Sequence, residues 1–238
     1  MRRTTAILVV FLITAQVSAQ IGDEALISLR AVGKVVHFDG KTWLGTAFVA
    51  GESHSIFMPV HVAKADSLYF QPYGSEQMYG IDLRLSLPNL DMAMYGRRTG
   101  GQTDSYPYGN FDRVQPGDEV VYLGMCAADT LCQYQGVITA KGIARSVNQN
   151  VDFIDIAGQA VPGNSGSPVF NSHGQVIGMI VQAWKPEPLK QAMEVSPTVR
   201  AYSIDILRIF EQEVKTTIEP DSAGSDNRRP LLDALQQR

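Results

Sequence analysis

Cysteine and histidine are scarce in this chain: two cysteines, Cys126 and Cys132, and four histidines among 238 residues. Ligands so few and so scattered argue against a zinc-type centre, so no metal and no cofactor is expected. Basic charge is not in excess either, with 20 lysines and arginines against 24 aspartates and glutamates. Nucleic acid and anionic membrane, which favour basic patches, are therefore poor candidates for partners. No apolar run reaches the roughly 20 residues that a membrane-spanning helix needs. There is no internal repeat and no low-complexity tract.

What is present at the start is a short address. Arg2-Arg3, the apolar run Ala6–Ile13 and the small-residue ending Val17-Ser18-Ala19 have the three parts of a secretory signal peptide. Residues 1–19 are read as that signal, with an uncleaved anchor as the alternative. The expected location is secreted or periplasmic, with no membrane association after cleavage. Losing Arg2 and Arg3 leaves 18 basic residues against 24 acidic ones, a net charge of −6 from Gln20 onward. In an exported chain, Cys126 and Cys132 sit close enough, across a hairpin, for a small-loop disulfide; two unpaired thiols are the alternative.

Strand-like runs dominate the rest. Ile27–Val32 alternates weakly; Val35–Phe38 and Thr42–Val49 flank Asp39-Gly40, a tight hairpin signal. Ser55–Met58, Ser67–Phe70, Ile81–Leu85 and Met92–Tyr95 complete a first series with the pattern of a small barrel or sandwich. Periodicity then fails from Gly96 to Gly109, the best linker candidate. A second series follows in Glu119–Leu123, Tyr134–Ala140, Gly142–Val147, Val151–Ile156, Pro168–Phe170, Val176–Val181 and Val199–Tyr202. Ser203 is placed to cap a helix over 204–214, and the apolar-poor tail 215–238 is expected to be disordered. The domain reading is thus strands over 25–96, a linker over 97–115, strands over 116–203, then helix and tail.

The chain is organised around Val161-Pro162-Gly163-Asn164-Ser165-Gly166-Ser167-Pro168. A serine between glycines can stand clear of a sharply turned main chain, and the turn can aim amide groups at one point. Taken alone, the stretch reads equally well as a turn without chemistry. A serine hydroxyl becomes a nucleophile only with a base, and the base needs a partner to fix its tautomer. His37, His54 and His173 read as loop or strand residues. His61 follows the apolar run Ile56–Val60 and so sits at the end of a buried strand, where a base is rigidly held. Asp91 opens the apolar run Met92-Ala93-Met94 and needs a hydrogen-bonding partner on entering a core; Asp82 is its competitor, in a strand that alternates like a surface one.

With these residues in hand, the chain resembles the chymotrypsin-like serine peptidases, especially the glutamyl-endopeptidase and HtrA-like branches. The likeness rests on Gly163–Pro168, on Gly174–Gly178, on Gly45-Thr46-Ala47-Phe48, on Val60-His61-Val62 and on Leu90-Asp91-Met92-Ala93. It covers roughly 25–214, and the order His, Asp, Ser is the family's. The resemblance implies an all-β fold of two six-stranded antiparallel barrels with a short C-terminal helix. It implies a serine endopeptidase acting on a protein or peptide substrate, with Ser165 as nucleophile, His61 as base and Asp91 orienting His61. The amides of Gly163 and Ser165 would form the oxyanion hole. By similarity of position, Gln159, Ala160, Val181, Gln182 and Ala183 would line the substrate pocket; none is charged, so a small or medium uncharged side chain is expected there.

Departures from the pattern narrow the expectation. Val181–Trp184 lacks the histidine that glutamate-specific enzymes use, so acidic specificity does not carry over. Ser167 stands where many relatives have glycine, and no room for a PDZ module is expected after Val214. Gln20–Glu24 shows no activation site, so the signal-cleaved form is expected to be competent. An α/β-hydrolase is rejected because its order is Ser, Asp, His. A catalytically inactive binding relative and a latent peptidase stay as alternatives.

Overall fold

The computed structural model describes residues 20–21, 25–26, 28–63, 67–98, 103–145, 150–159, 161–184 and 198–209. The signal-peptide reading of 1–19, the tail 215–238 and the part of the expected helix beyond 209 lie outside the described residues.

Two minimal strands, β1 (Gln20–Ile21) and β2 (Ala25–Leu26), pair with each other ahead of the main structure. The weak alternation at Ile27–Val32 is not one strand. Ser28 accepts a hydrogen bond from the Arg30 N–H, and Leu29–Ala31 form a 3-10 turn before a strand begins at Val32. A serine side chain that satisfies a nearby backbone donor favours a turn over a sheet ladder, which is why the alternation misled.

Six strands then close a barrel: β3 (Val32–His37), β4 (Trp43–Ala50), β5 (Ser55–Met58), β6 (Leu68–Pro72), β7 (Tyr79–Leu87) and β8 (Met92–Arg97). Their order around the barrel is β3-β4-β5-β8-β7-β6, every pair antiparallel. Asp39-Gly40 lies in the β3–β4 connection, but this is the five-residue loop Phe38–Thr42 and not the two-residue turn expected. The Gly40 N–H donates to the His37 carbonyl at 2.9 Å and the His37 N–H to the Thr42 carbonyl at 3.0 Å, and Gly40 alone of the pair has a positive φ, 66°. The Asp39 carboxylate accepts the Lys41 and Thr42 N–H groups at 2.9 Å each and the Thr42 hydroxyl at 2.6 Å. The same bonds, the Thr42 hydroxyl first, lower the Asp39 pKa to about 2.

A second closed barrel follows, in the order β10-β11-β14-β13-β12-β9 and again antiparallel throughout. Its strands are β9 (Glu119–Ala127), β10 (Thr130–Arg145), β11 (Asn150–Gly158), β12 (Pro168–Phe170), β13 (Val176–Trp184) and β14 (Thr198–Ser203). The fold is thus all-β with two six-stranded barrels, and a short helix occupies 205–209. Tyr134–Ala140 and Gly142–Val147 are expected as two strands. Residues 146–147 lie outside the described residues, and the first run and 142–145 belong to one strand, β10. Its register slips between Ile138 and Ala140, and that irregularity breaks the sequence pattern without ending the strand.

Each barrel has its own interior, and a third cluster fills the seam between them. Along β4, Ala47 and Val49 point into the first barrel while Phe48 and Ala50 point into the seam. Along β9, Val120 and Tyr122 face the second barrel's interior while Val121 and Leu123 face the seam. Successive strand residues point to opposite faces, so a strand with apolar surroundings on both faces reads as a continuous apolar run. The chain between the barrels is built into this seam. Tyr106 forms an isolated parallel bridge with Ala50 and Tyr108 one with Val176; the Tyr106 ring meets Phe170 edge-on at 4.8 Å. Burial raises the Tyr106 hydroxyl pKa well above its ordinary value, and that hydroxyl donates to the Ser28 carbonyl at 2.7 Å. The lost periodicity at 97–115 therefore hides a packed crossing.

Candidate active site

β5 ends at Met58, and Pro59–Val62 turn the chain away, with the Val62 N–H donating to the Pro59 carbonyl at 3.1 Å. His61 lies in this turn. On the neighbouring strand, Pro88–Leu90 form a 3-10 turn that Asp91 closes in the left-handed region at φ 53°. Aspartate enters that region more readily than most side chains, and here the conformation faces it toward the β5 exit. Asp91 Oδ1 accepts the His61 backbone N–H at 2.8 Å, and the Asp91 carbonyl accepts the Val60 N–H at 3.2 Å. Asp91 Oδ2 is hydrogen-bonded to His61 Nδ1. A carboxylate only accepts, so Nδ1 carries a proton, and in the neutral ring the lone pair is on Nε2. The His61 and Asp91 side chains are 40% and 32% exposed, so both lie at the surface end of the elements that carry them. The carboxylate sits at the barrel's rim, where partial hydration and the two hydrogen bonds from His61 together satisfy it.

The serine turn is fixed from both barrels. The Thr46 N–H donates to the Ser165 carbonyl at 3.2 Å, the Gly166 N–H to the Ile180 carbonyl at 2.7 Å, and the Ile180 N–H to the Ser167 carbonyl at 2.9 Å. Gly163 and Gly166 have φ of 96° and 92°. A Cβ on Gly163 would lie 2.1 Å from the Met125 carbonyl oxygen, and one on Gly166 1.9 Å from that of Thr46. Both positions demand glycine by conformation and by close approach. A Cβ on Gly166 would also come 3.1 Å from Pro59 Cδ, so the serine turn lies against the start of the His61 turn. Among the described residues, the amide N–H groups of Gly163 and Ser165 have no hydrogen-bond partner, and no hydrogen bond links the Ser165 hydroxyl to His61.

Behind the turn stands a residue the sequence reading quoted without a role. Thr46 is fully buried. Its hydroxyl donates to the Gly163 carbonyl at 2.6 Å and accepts the Met125 N–H at 2.9 Å. The signal available in sequence was a single hydroxyl inside the apolar run Leu44–Ala50. Met125 precedes Cys126, which forms a disulfide with Cys132 across the β9–β10 hairpin. At the tip of that hairpin Asp129 pairs with Lys34 of the first barrel.

Of the expected pocket residues, Gln159 is exposed and its carbonyl accepts from the Tyr122 hydroxyl at 2.7 Å and from Asn164 Nδ2 at 3.3 Å. Tyr122 and Asn164 are partners of Gln159 that the sequence pattern does not point to. Val181 is buried on β13. Ala160 lies outside the described residues, as do the side chains of Gln182 and Ala183. The competing acid, Asp82, is engaged elsewhere by Arg98 Nε and Nη2 at 3.0 and 2.8 Å.

Two antiparallel six-stranded barrels, with a histidine–aspartate pair on one and a glycine-flanked serine on the other, define a chymotrypsin-like serine peptidase domain. The family model for a trypsin-like peptidase domain matches residues 34–179, and the chain belongs to that family. It is 30% identical over 139 residues to a protein of Chlamydia trachomatis serovar D named as a probable periplasmic serine endoprotease DegP-like. That match covers 57% of this chain and 27% of the relative. A protein of Marinomonas sp. with the same name is 25% identical over 144 residues, covering 59% of this chain and 30% of the relative. The chain thus matches less than a third of the length of either. Among solved structures, the HtrA-type protease AlgW with decapeptide has a TM-score of 0.64 at 19% identity, covering 79% of this chain and 65% of that one. The MamO protease domain from Magnetospirillum magneticum has a TM-score of 0.60 at 14% identity, covering 76% of this chain and 96% of that one. These last two likenesses concern the fold alone.

Proposed function

We propose that this chain is an exported serine endopeptidase that cleaves peptide bonds through Ser165, His61 and Asp91. The observation that carries the reading is the double hold of Asp91 on His61, which leaves Nε2 as the free base. Ser165 Oγ attacks the peptide carbonyl while His61 Nε2 takes its proton, and Asp91 stabilises the imidazolium that forms. The unengaged N–H groups of Gly163 and Ser165 receive the developing oxyanion; one such donor is worth about 3–4 kcal/mol where it has been removed from related sites. His61 then returns the proton to the leaving amine, giving an acyl-enzyme. Water, deprotonated by the same nitrogen, attacks the ester, and the acid product leaves as Ser165 regains its proton.

The name of the Chlamydia relative, a periplasmic endoprotease, supports export, and so does the Arg2–Ala19 pattern. Sequencing the N-terminus of the exported form tests it, with Gln20 expected first. The enzymatic reading is tested by incubating the purified chain with unfolded casein. Fragments produced by the wild type and lost in Ser165→Ala support it; intact casein with both proteins contradicts it. A second reading is a latent form or a binding-only relative, favoured by the missing Ser165–His61 hydrogen bond among the described residues. Catalytic hydrogen bonds are often long without substrate, which is why the active reading is preferred.

A further inference from the structure

We propose that Thr46 is a positioning residue that sets the oxyanion loop from the opposite barrel. This rests on the reading of Ser165 as nucleophile and of Gly163 and Ser165 as oxyanion donors. Those two residues share one feature: each has its carbonyl tied to Thr46, Gly163 through the hydroxyl at 2.6 Å and Ser165 through the backbone N–H at 3.2 Å. The peptide planes that follow Gly163 and Ser165 are therefore fixed from β4. Each plane is held at its other end too, by the Asn164 N–H on the Val161 carbonyl at 3.2 Å and by the Gly166 N–H on the Ile180 carbonyl at 2.7 Å. Gly163, at φ 96°, has the freedom to reorient that other residues lack, so its aim depends on such ties.

The hydroxyl does more than hold one carbonyl. By accepting the Met125 N–H at 2.9 Å it joins β9 to the same point, beside the Met125 carbonyl that Gly163 packs against. One buried hydroxyl thus gathers three strands of chain: β4, β9 and the serine turn. A fully buried hydroxyl is costly unless paired, and this one donates one bond and accepts another. Valine has nearly the same shape and strand preference, yet it would leave both the Gly163 carbonyl and the Met125 N–H without this partner.

The test uses Thr46→Val, Thr46→Ala and Thr46→Ser, with steady-state cleavage of a peptide substrate and backbone 15N relaxation. Thr46→Val is expected to lower kcat by about 100-fold with KM within about threefold, the cost of a slightly misplaced reacting group. Thr46→Ser should recover most of that kcat, because it restores the hydroxyl. In Thr46→Val the order parameters of Gly163 and Asn164, which flank the carbonyl that loses the hydroxyl, should fall from about 0.85 toward 0.6. Ser165 keeps its bond to the residue-46 backbone N–H and should change less. Thr46→Ala carries the same expectations if Thr46→Val does not fold. A kcat within threefold of wild type, a rise in KM alone, or unchanged order parameters at Gly163 and Asn164 would overturn the proposal while leaving an active wild type explained. Loosened Gly163 and Asn164 amides in a protein whose wild type cleaves nothing would uphold the positioning and sink the peptidase reading instead.

Discussion

Asp91 holds His61 twice, taking its backbone N–H on Oδ1 at 2.8 Å and its ring Nδ1 on Oδ2. The first bond fixes where the residue sits; the second fixes which nitrogen carries the proton. Asp91→Asn keeps an acceptor for the backbone but has one oxygen instead of two, so the ring loses its tautomer control. We expect kcat to fall about 10⁴-fold with the thermal midpoint nearly unchanged. Steady-state kinetics beside a melting curve checks both. A loss of activity that tracks unfolding would mean the pair is structural only.

Gly163 and Gly166 make a stability prediction as well as an activity one. Alanine at Gly163 must adopt a positive φ and place its Cβ against the Met125 carbonyl and the Trp43 ring. We expect Gly163→Ala to cost about 1–3 kcal/mol of stability, read as a lower urea midpoint, and to abolish activity.

The hairpin behind the loop is cross-linked over six residues by Cys126–Cys132. Closing so short a loop in the unfolded chain is worth about 2 kcal/mol. Replacing both cysteines with serine should lower stability by about that amount, and reductant should then have no further effect on the denaturation curve. The wild-type curve, by contrast, should move when reductant is added.

The β3–β4 turn carries a pH dependence whose sign is fixed. The Asp39 pKa is lowered from 3.8 to about 2, first by the Thr42 hydroxyl and then by the Thr42 and Lys41 amides. A group with a depressed folded-state pKa stabilises the fold above its unfolded value and loses that contribution as pH falls through the folded one. The turn should therefore loosen as pH drops from about 4 to about 2. Titration of the Thr42 amide by NMR checks this, and Asp39→Asn should remove the transition.

Much of this arrangement was legible before any coordinates. Asp39-Gly40 marks a hairpin because Gly40 takes the positive φ and the Asp39 carboxylate takes up the amides that follow, and the Gly163–Pro168 stretch stands out because glycines flank a serine. Other boundaries differ from the pattern for reasons that periodicity does not report. Periodicity reports one apolar face, whereas β4 and β9 have two, and the slip at Ile138–Ala140 breaks the pattern within one strand. Tyr106 and Tyr108 look like loop residues because their partners, Ala50 and Val176, lie more than fifty residues away in the chain. Thr46 was illegible for the same reason: a hydroxyl's role depends on Gly163 and Met125, which only the packing of one barrel on the other brings within reach.

The central claim is that Ser165 is an activated nucleophile, and covalent labelling tests it most directly. Purified protein would be treated with a fluorophosphonate and digested, and the modified peptide located by mass beside Ser165→Ala and His61→Ala. The account predicts one adduct on Ser165 in the wild type and none in either variant. A folded wild type that takes no label, or takes it on another serine, would contradict it.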